Sequence, residues 1–200
     1  MSTVAVRLSR QPVLTDALVR RSVVADAGLV LGAAALTALA AQVVIPVHGL
    51  PVPITGQTFA VLLTAAALGP ARGVLGQLVY LLAGLVGLPV YAGATSGAHV
   101  LLGASGGYLV GFVLAAALMG VAARHGYDRR PLGVAVSYAL GTLVIYACGA
   151  SVLALVTHVG LVTSVRLGVL PFLGGDLVKA VAAAAALPGA WWLVRRTGGR

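Results

Sequence analysis

Long runs of Ala, Leu, Val and Gly, broken at intervals by proline, glycine and a few arginines, set the pattern of this chain. Apolar and polar residues do not alternate along the runs, which excludes the strands of a membrane barrel and leaves helices as the elements that satisfy their own backbone in lipid. Residues 1–25 are polar, with a short amphipathic piece around Val13–Val19, and read as a cytosolic tail. A first span is predicted over about Asp26–Ile45, ended by Pro46, Pro51 and Pro53 in an extended loop. A second, short for a full crossing, covers about Gly56–Leu68 with Thr55 as its N-cap. The turn Gly69–Gly73 reverses the chain into a third segment, Val74–Leu88, and a loop of small residues follows over Pro89–Ser105. A fourth span over Gly106–Ala123 and a fifth over Leu132–His158 flank a charged hairpin, Arg124–Pro131. The sixth starts after Pro171 and ends at Trp191 and Trp192, aromatic belt residues followed by Arg195 and Arg196. The expected fold is an all-α membrane protein, a six-transmembrane-helix bundle forming one domain over residues 26–196.

Composition supports that reading. Of the 200 residues, 60% are hydrophobic and 8% charged, with a mean hydropathy of +1.05, whereas about a quarter of a soluble domain is charged. The net charge of +9 does not indicate nucleic acid, because the basic residues flank apolar segments instead of clustering among aromatics. Their distribution gives an orientation. Arg7, Arg10, Arg20, Arg21, Arg72, Arg124, Arg129, Arg130, Arg195, Arg196 and Arg200 all fall on one side of a six-span chain, and only Arg166 falls on the other. The positive-inside rule then predicts that both termini are cytoplasmic. The N-terminal arginines before an apolar run imitate a signal peptide, but the run is too long and no cleavage site precedes a polar mature chain.

Within the apolar runs, Asp176 and Lys179 stand out. They lie three residues apart, on one face of the sixth span, in the stretch P-F-L-G-G-D-L-V-K from Pro171 to Lys179. A charge at membrane depth costs roughly 2.5 to 3.5 kcal/mol on insertion scales, so such residues mark a site for a substrate, ion or proton. The alternative is a salt bridge that merely locks the last helix. The tetrapeptide G-L-P-V occurs at Gly49–Val52 and again at Gly87–Val90, after the first and third spans, so both copies lie on the outer side, where Asp176 and Lys179 emerge. Such loops can fold over a ligand, with Phe59, Tyr91 and Tyr108 available to cover an apolar ring.

Other chemistries are poorly served. Lys179 lacks a phosphate-loop context, and the absence of any Glu or Asn removes zinc-protease motifs and most paired-carboxylate catalysis. No metal site and no cofactor are expected, and Cys148, alone in the fifth span, suits small apolar packing. Gly103–Gly106 reads G-A-S-G, similar to the nucleophile motif of rhomboid intramembrane proteases, yet Ser105 would need a base that the sixth span, having no His, does not supply. His48 and His99 lie in outer loops, where they are either solvated or in contact with ligand. In the first span Ala27, Ala34, Ala38 and Ala41 form a small-residue stripe for close helix approach, either to a partner, through Ala34 and Ala38, or within the bundle.

The segments Q-V-V-I-P (Gln42–Pro46), V-P-I-T-G-Q-T-F (Val52–Phe59), G-L-P-V-Y-A-G (Gly87–Gly93), G-G-Y-L-V-G-F (Gly106–Phe112) and P-F-L-G-G-D-L-V-K, in this order, resemble the BioY family over about residues 25–195. That family comprises the biotin-specific substrate-binding subunits of energy-coupling-factor transporters. The resemblance implies a non-enzymatic, multi-pass protein of a prokaryotic plasma membrane that captures biotin from outside. It further implies docking on a transmembrane coupling subunit driven by ATPase subunits, with the lipid bilayer as surroundings. It implies biotin contacts for Asp176, Lys179 and the loop after the third span, with Gln57, Phe59 and Tyr91 in the accompanying motifs. Where the family often has Asn in that loop, this chain reads A-T-S-G (Ala94–Gly97), so Thr95 or Ser96 would supply the polar contact. No Lys or Arg lies between Gly73 and Ala123 to meet the ligand carboxylate. The chemistry is compatible with biotin: a ureido ring has two N–H donors and one carbonyl acceptor, which an ionised Asp and a protonated Lys complement. A subunit for another vitamin is the alternative within the same architecture.

Overall fold

Proline and glycine punctuate the observed chain largely where the sequence puts them. The computed structural model describes residues 11–45 and 47–197; Arg7, Arg10 and Arg200 of the charge count, and Pro46 of the first loop, lie outside the described residues. A short helix α1 (Leu14–Leu18) precedes α2 (Val23–Ala41), whose N-cap Ser22 accepts a hydrogen bond from the Ala25 N–H. The proline-rich connection contains a two-residue β-hairpin: β1 (Val44–Ile45) pairs antiparallel with β2 (Ile54–Thr55), Val44 opposite Thr55. Next come α3 (Gln57–Leu68) and α4 (Pro70–Leu85), joined at Gly69, whose φ of 82° is open to glycine without strain. The N-cap of α3 is Gly56, not the expected Thr55, which is held in β2; the Thr55 hydroxyl still accepts the Gln57 N–H at 3.3 Å.

A 3₁₀ turn (Ala92–Ala94) and a short helix α5 (Ala98–Leu102) occupy the small-residue loop. Then follow α6 (Gly106–Arg124), α7 (Pro131–Thr157), α8 (Leu161–Gly168) and α9 (Leu173–Thr197). The described chain is therefore mostly helical, and four helical segments are long and apolar enough to cross a membrane: α2, α6, α7 and the stretch from Leu161 to Arg196.

Helix α6 is the centre of the bundle, packed on α7, α3 and α4. Lipid supplies no hydrophobic drive for this association, so close backbone approach has to. At Gly107 and Gly111 a Cβ would run into the α7 backbone at Cys148 and Ile145. Most large apolar side chains outside this centre face outward, Leu39, Leu75, Leu143 and Leu177 among them, as lipid contact requires.

One end of the bundle is fixed by ion pairs. Asp16 of α1 accepts from Arg72 of α4 at 3.0 Å and from Arg124 at the end of α6 at 2.5 Å, while Arg72 also reaches Asp26 of α2 at 2.6 Å. Burial pushes the Asp16 carboxyl up, but Arg124, with Arg21 and Arg72, outweighs it and holds it below the ordinary carboxylate range. The turn between α3 and α4 thus meets α1, the start of α2 and the end of α6. The β-hairpin, the loop after α4 and α8 gather around the opposite ends of the same helices.

Candidate functional site

At that opposite end a cavity of about 410 Å³ lies between the β-hairpin loop, the loop after α4, and the facing parts of α6, α7 and α9. Its walls are mainly apolar and aromatic. Tyr108 and Phe172 stack with centroids 6.3 Å apart, and Tyr146 meets the same Phe172 ring edge-on at 6.4 Å. The Tyr108 hydroxyl donates to the Gly168 carbonyl at 2.8 Å, which ties α6 to the end of α8 and sets the wall.

A polar network underlies these rings. Lys179 lines the cavity, and its Nζ donates to Asp176 Oδ1 at 2.7 Å, the Thr58 hydroxyl at 2.8 Å and the Thr55 carbonyl at 2.8 Å. Asp176 stands behind it, 6% exposed, accepting at Oδ1 also from Thr58 and at Oδ2 from the Tyr146 hydroxyl at 2.5 Å. All three ammonium protons therefore have protein acceptors, and both carboxylate oxygens have donors. The pair joins α9 to α3 and α7, and among the described residues Lys179 is the one lysine or arginine lining the cavity. Features of both alternatives left open by the sequence are present: the ion pair holds α9 to its neighbours, and Lys179 lines the cavity while Asp176, behind it, is not among the lining residues.

The other expected residues divide. Tyr91, 1% exposed, lines the cavity with its hydroxyl donated to the Leu81 carbonyl at 2.6 Å and its ring edge-on to Tyr80 at 5.6 Å. A Cβ at Gly84 would fall inside the Tyr91 ring, so glycine is what lets that tyrosine in. Gln57 lines the cavity and is engaged twice, donating to the Tyr80 hydroxyl at 2.7 Å and accepting from the Thr55 hydroxyl at 2.8 Å. Thr95 lines it while donating to the Ala92 carbonyl at 3.0 Å. Ser96 and Phe59 are not among the lining residues. Phe59 packs half-buried against the hydrophobic core, because each helical step turns the side chain by about 100°, and Gln57 and Thr58 already take the cavity face.

Sequence reasoning did not single out Thr58, Tyr146 or Phe172. Gln42, noted only within a motif, holds the loop after α4: its Nε2 donates to the Tyr91 carbonyl at 3.2 Å and its Oε1 accepts the Ala94 N–H at 2.9 Å. His99 and Ser105 both line the cavity, but no hydrogen bond links Ser105 to a base among the described residues. His48 lies on the exposed surface. Ala34 is 7% exposed and Ala38 half-buried, both packed inside the bundle, so of the two readings of the alanine stripe the internal one describes their environment. Among the described residues no group of His, Cys, Asp or Glu is arranged to hold a metal ion.

Fold and cavity together define a class: a mostly helical membrane protein with a mainly apolar cavity over a buried ion pair. The chain belongs to the BioY family, whose model matches residues 10–196. It is 39% identical over 150 residues to the biotin transporter BioY of Thermotoga maritima, covering 75% of this chain and 86% of that one. It is 34% identical over 161 residues to the biotin transporter BioY of Rhizobium etli, covering 77% and 86%. It also resembles a crystal structure of the S-component for biotin from an ECF-type ABC transporter, with a TM-score of 0.75 and 26% identity over 88% of this chain and 92% of that one. These relatives carry transporter names, and the protease reading of Ser105 is set aside.

Proposed function

We propose that this protein captures biotin in the cavity over Asp176 and Lys179 and delivers it through an ECF-type transporter complex. The observation that carries the reading is the polar floor beneath aromatic walls, in a fold shared with a biotin S-component. Apolar rings suit the thiophane ring and valeryl chain, while the threonine, tyrosine and charged groups of the floor suit the ureido ring. Because the pair is already hydrogen-bonded within the protein, ligand contact exchanges or shares those bonds. The protein is a binding subunit and not an enzyme.

Six crossings with both termini cytoplasmic, in the plasma membrane of a prokaryote, complete the proposal. Helix α3, at 12 residues, is about 18 Å long against a hydrocarbon core of about 30 Å. Its partner α4 nevertheless returns from the ion-paired end to the cavity end, which favours counting both. Coupling and ATPase subunits belong to the proposal, since the chain has no phosphate loop with which to hydrolyse ATP itself. Docking through α2 belongs to the same proposal, and with Ala34 turned inward the face left to a partner is that of Gly28, Gly32 and Ala35.

Titration calorimetry of the purified protein in detergent tests the reading. Biotin binds, and Asp176→Asn and Lys179→Ala each weaken it at least about tenfold, or about 1.4 kcal/mol. Wild-type affinity in both variants rules out this site. The need for partners fails if the chain alone, in liposomes, accumulates biotin against a gradient.

A further inference from the structure

At the ion-paired end, well away from the biotin cavity, the hairpin between α6 and α7 and the last turn of α9 enclose a second depression of about 850 Å³. Its charge is one-sided. Arg129, Arg130 and Arg195 line it, and among the described residues no carboxylate does. The nearest acid in sequence, Asp128, is 1% exposed and has its Oδ2 bonded to the Trp191 indole N–H at 2.6 Å. Arg129 lies over the Trp191 ring at 4.3 Å and donates to the Pro12 carbonyl at 3.0 Å, but its Nε is buried with no partner among the described residues. The side chains of Arg130 and Arg195 are exposed and make no hydrogen bond or ion pair among the described residues.

Two neighbouring features say what kind of anion belongs there. Leu132 and Val136 also line the depression, and they begin a stripe down the outer face of α7 that continues through Leu140 and Leu143, exposed by 76%, 45%, 48% and 62% in turn. Spacings of four, four and three keep that stripe on one helical face. On α9, Trp192 is half exposed beside the depression, with Arg196 over its ring at 3.8 Å, an arrangement suited to headgroup depth. A cationic hollow opening directly onto lipid-facing leucines fits an amphiphile, and a free anion would leave the apolar half without purpose.

We propose that this depression binds the phosphodiester headgroup of an anionic phospholipid, with its acyl chains along the Leu132 to Leu143 face of α7. Arg130 and Arg195 are the principal contacts, beside Arg129, which Trp191 and the Pro12 carbonyl already hold at the wall. The site needs only a membrane surface at this end of the bundle and is independent of what fills the other cavity.

Native mass spectrometry of the full chain tests this with phosphatidylglycerol, phosphatidylcholine and inorganic phosphate as probes, comparing wild type with the double variant Arg130→Gln/Arg195→Gln. Phosphatidylglycerol is retained over phosphatidylcholine by the wild type. At about fivefold for each arginine, phosphatidylglycerol binding by the double variant falls about twenty-five-fold. Biotin affinity measured on the same preparations is unchanged, which separates failure here from misfolding or from failure of the biotin reading. Equal phosphatidylglycerol retention by variant and wild type overturns the proposal. So does competition by inorganic phosphate at equal concentration, which would make the site one for a soluble anion. A variant that keeps the lipid but no longer assembles with partner subunits assigns the arginines to a protein interface and overturns it as well.

Discussion

Tyr146 gives Asp176 its one hydrogen bond from α7, at 2.5 Å to Oδ2, while Lys179 and Thr58 share Oδ1. Removing that hydroxyl strands one carboxylate oxygen in a buried setting, a loss of about 1–3 kcal/mol. Tyr146→Phe is therefore expected to lower thermal stability in detergent by that amount. It should also weaken biotin binding about tenfold, because the Phe172 contact remains but the floor is no longer pinned. Stability and affinity both at wild-type levels would mean that Tyr146 is only a wall. The same residues mark the limit of what the sequence reveals. Asp176 and Lys179 are legible because opposite charges in an apolar run have few other uses. Tyr146 and Thr58 carry no such mark: a tyrosine or threonine in a long apolar helix has the same pattern whether it faces a ligand, a neighbour or lipid. Phe59 shares a motif with Gln57 and Thr58, but a single helical step leaves it out of the cavity lining.

Among elements, α6 and α7 begin and end within a residue of the glycine, proline and charge signals that bound them, whereas α2 runs over Val23–Ala41 instead of the expected Asp26–Ile45, because Val44 and Ile45 are taken into the hairpin. Of the short ones, only α1 shows in the sequence, within the amphipathic piece around Val13–Val19. Helix α8 spans eight residues around Arg166 and reads as loop, and the two-residue strands of the hairpin are set by tertiary pairing, not by a local pattern. Helix α1 is five residues long and could not persist alone; Val13, fully buried, and Asp16 with its arginines hold it down. The carboxyl of Asp16 is held below its ordinary value, so its contribution is complete above pH about 4 and is lost as pH falls through the lowered value. Asp16→Asn should thus unfold earlier than wild type at pH 7, by about 1–3 kcal/mol. The gap stays constant down to pH about 5 and narrows below about 4. A gap that persists unchanged at the acid end, or none at pH 7, removes the ion pairs as the cause.

At the scale of the whole molecule, the question is whether α3 and α4 cross the membrane or dip into it, since neither reaches the length of α2, α6 or α7. Two observations favour crossing. Arg72, just inside α4, is bonded to Asp16 and Asp26, and a Cβ at Gly120 near the end of α6 would strike the Pro70 backbone, so the α3–α4 turn sits level with the arginine-rich termini of the other helices. At their other ends, Gln57 and Thr58 of α3 line the same cavity as Tyr91, just beyond α4. A helix pair that reaches both levels spans the depth of its neighbours, with the local thinning or tilt that mismatch allows. The test uses a Cys148→Ser background carrying one new cysteine at a time: His48→Cys in the hairpin loop, Ala71→Cys in the α3–α4 turn and Tyr127→Cys between α6 and α7, all at exposed positions. A membrane-impermeant maleimide should label the first in intact cells, and the other two only after permeabilisation. Labelling of Ala71→Cys from outside, or its failure to label on either side while Tyr127→Cys reacts, would replace six crossings by four and a re-entrant pair. Labelling of Tyr127→Cys in intact cells would invert the orientation that the arginines predict.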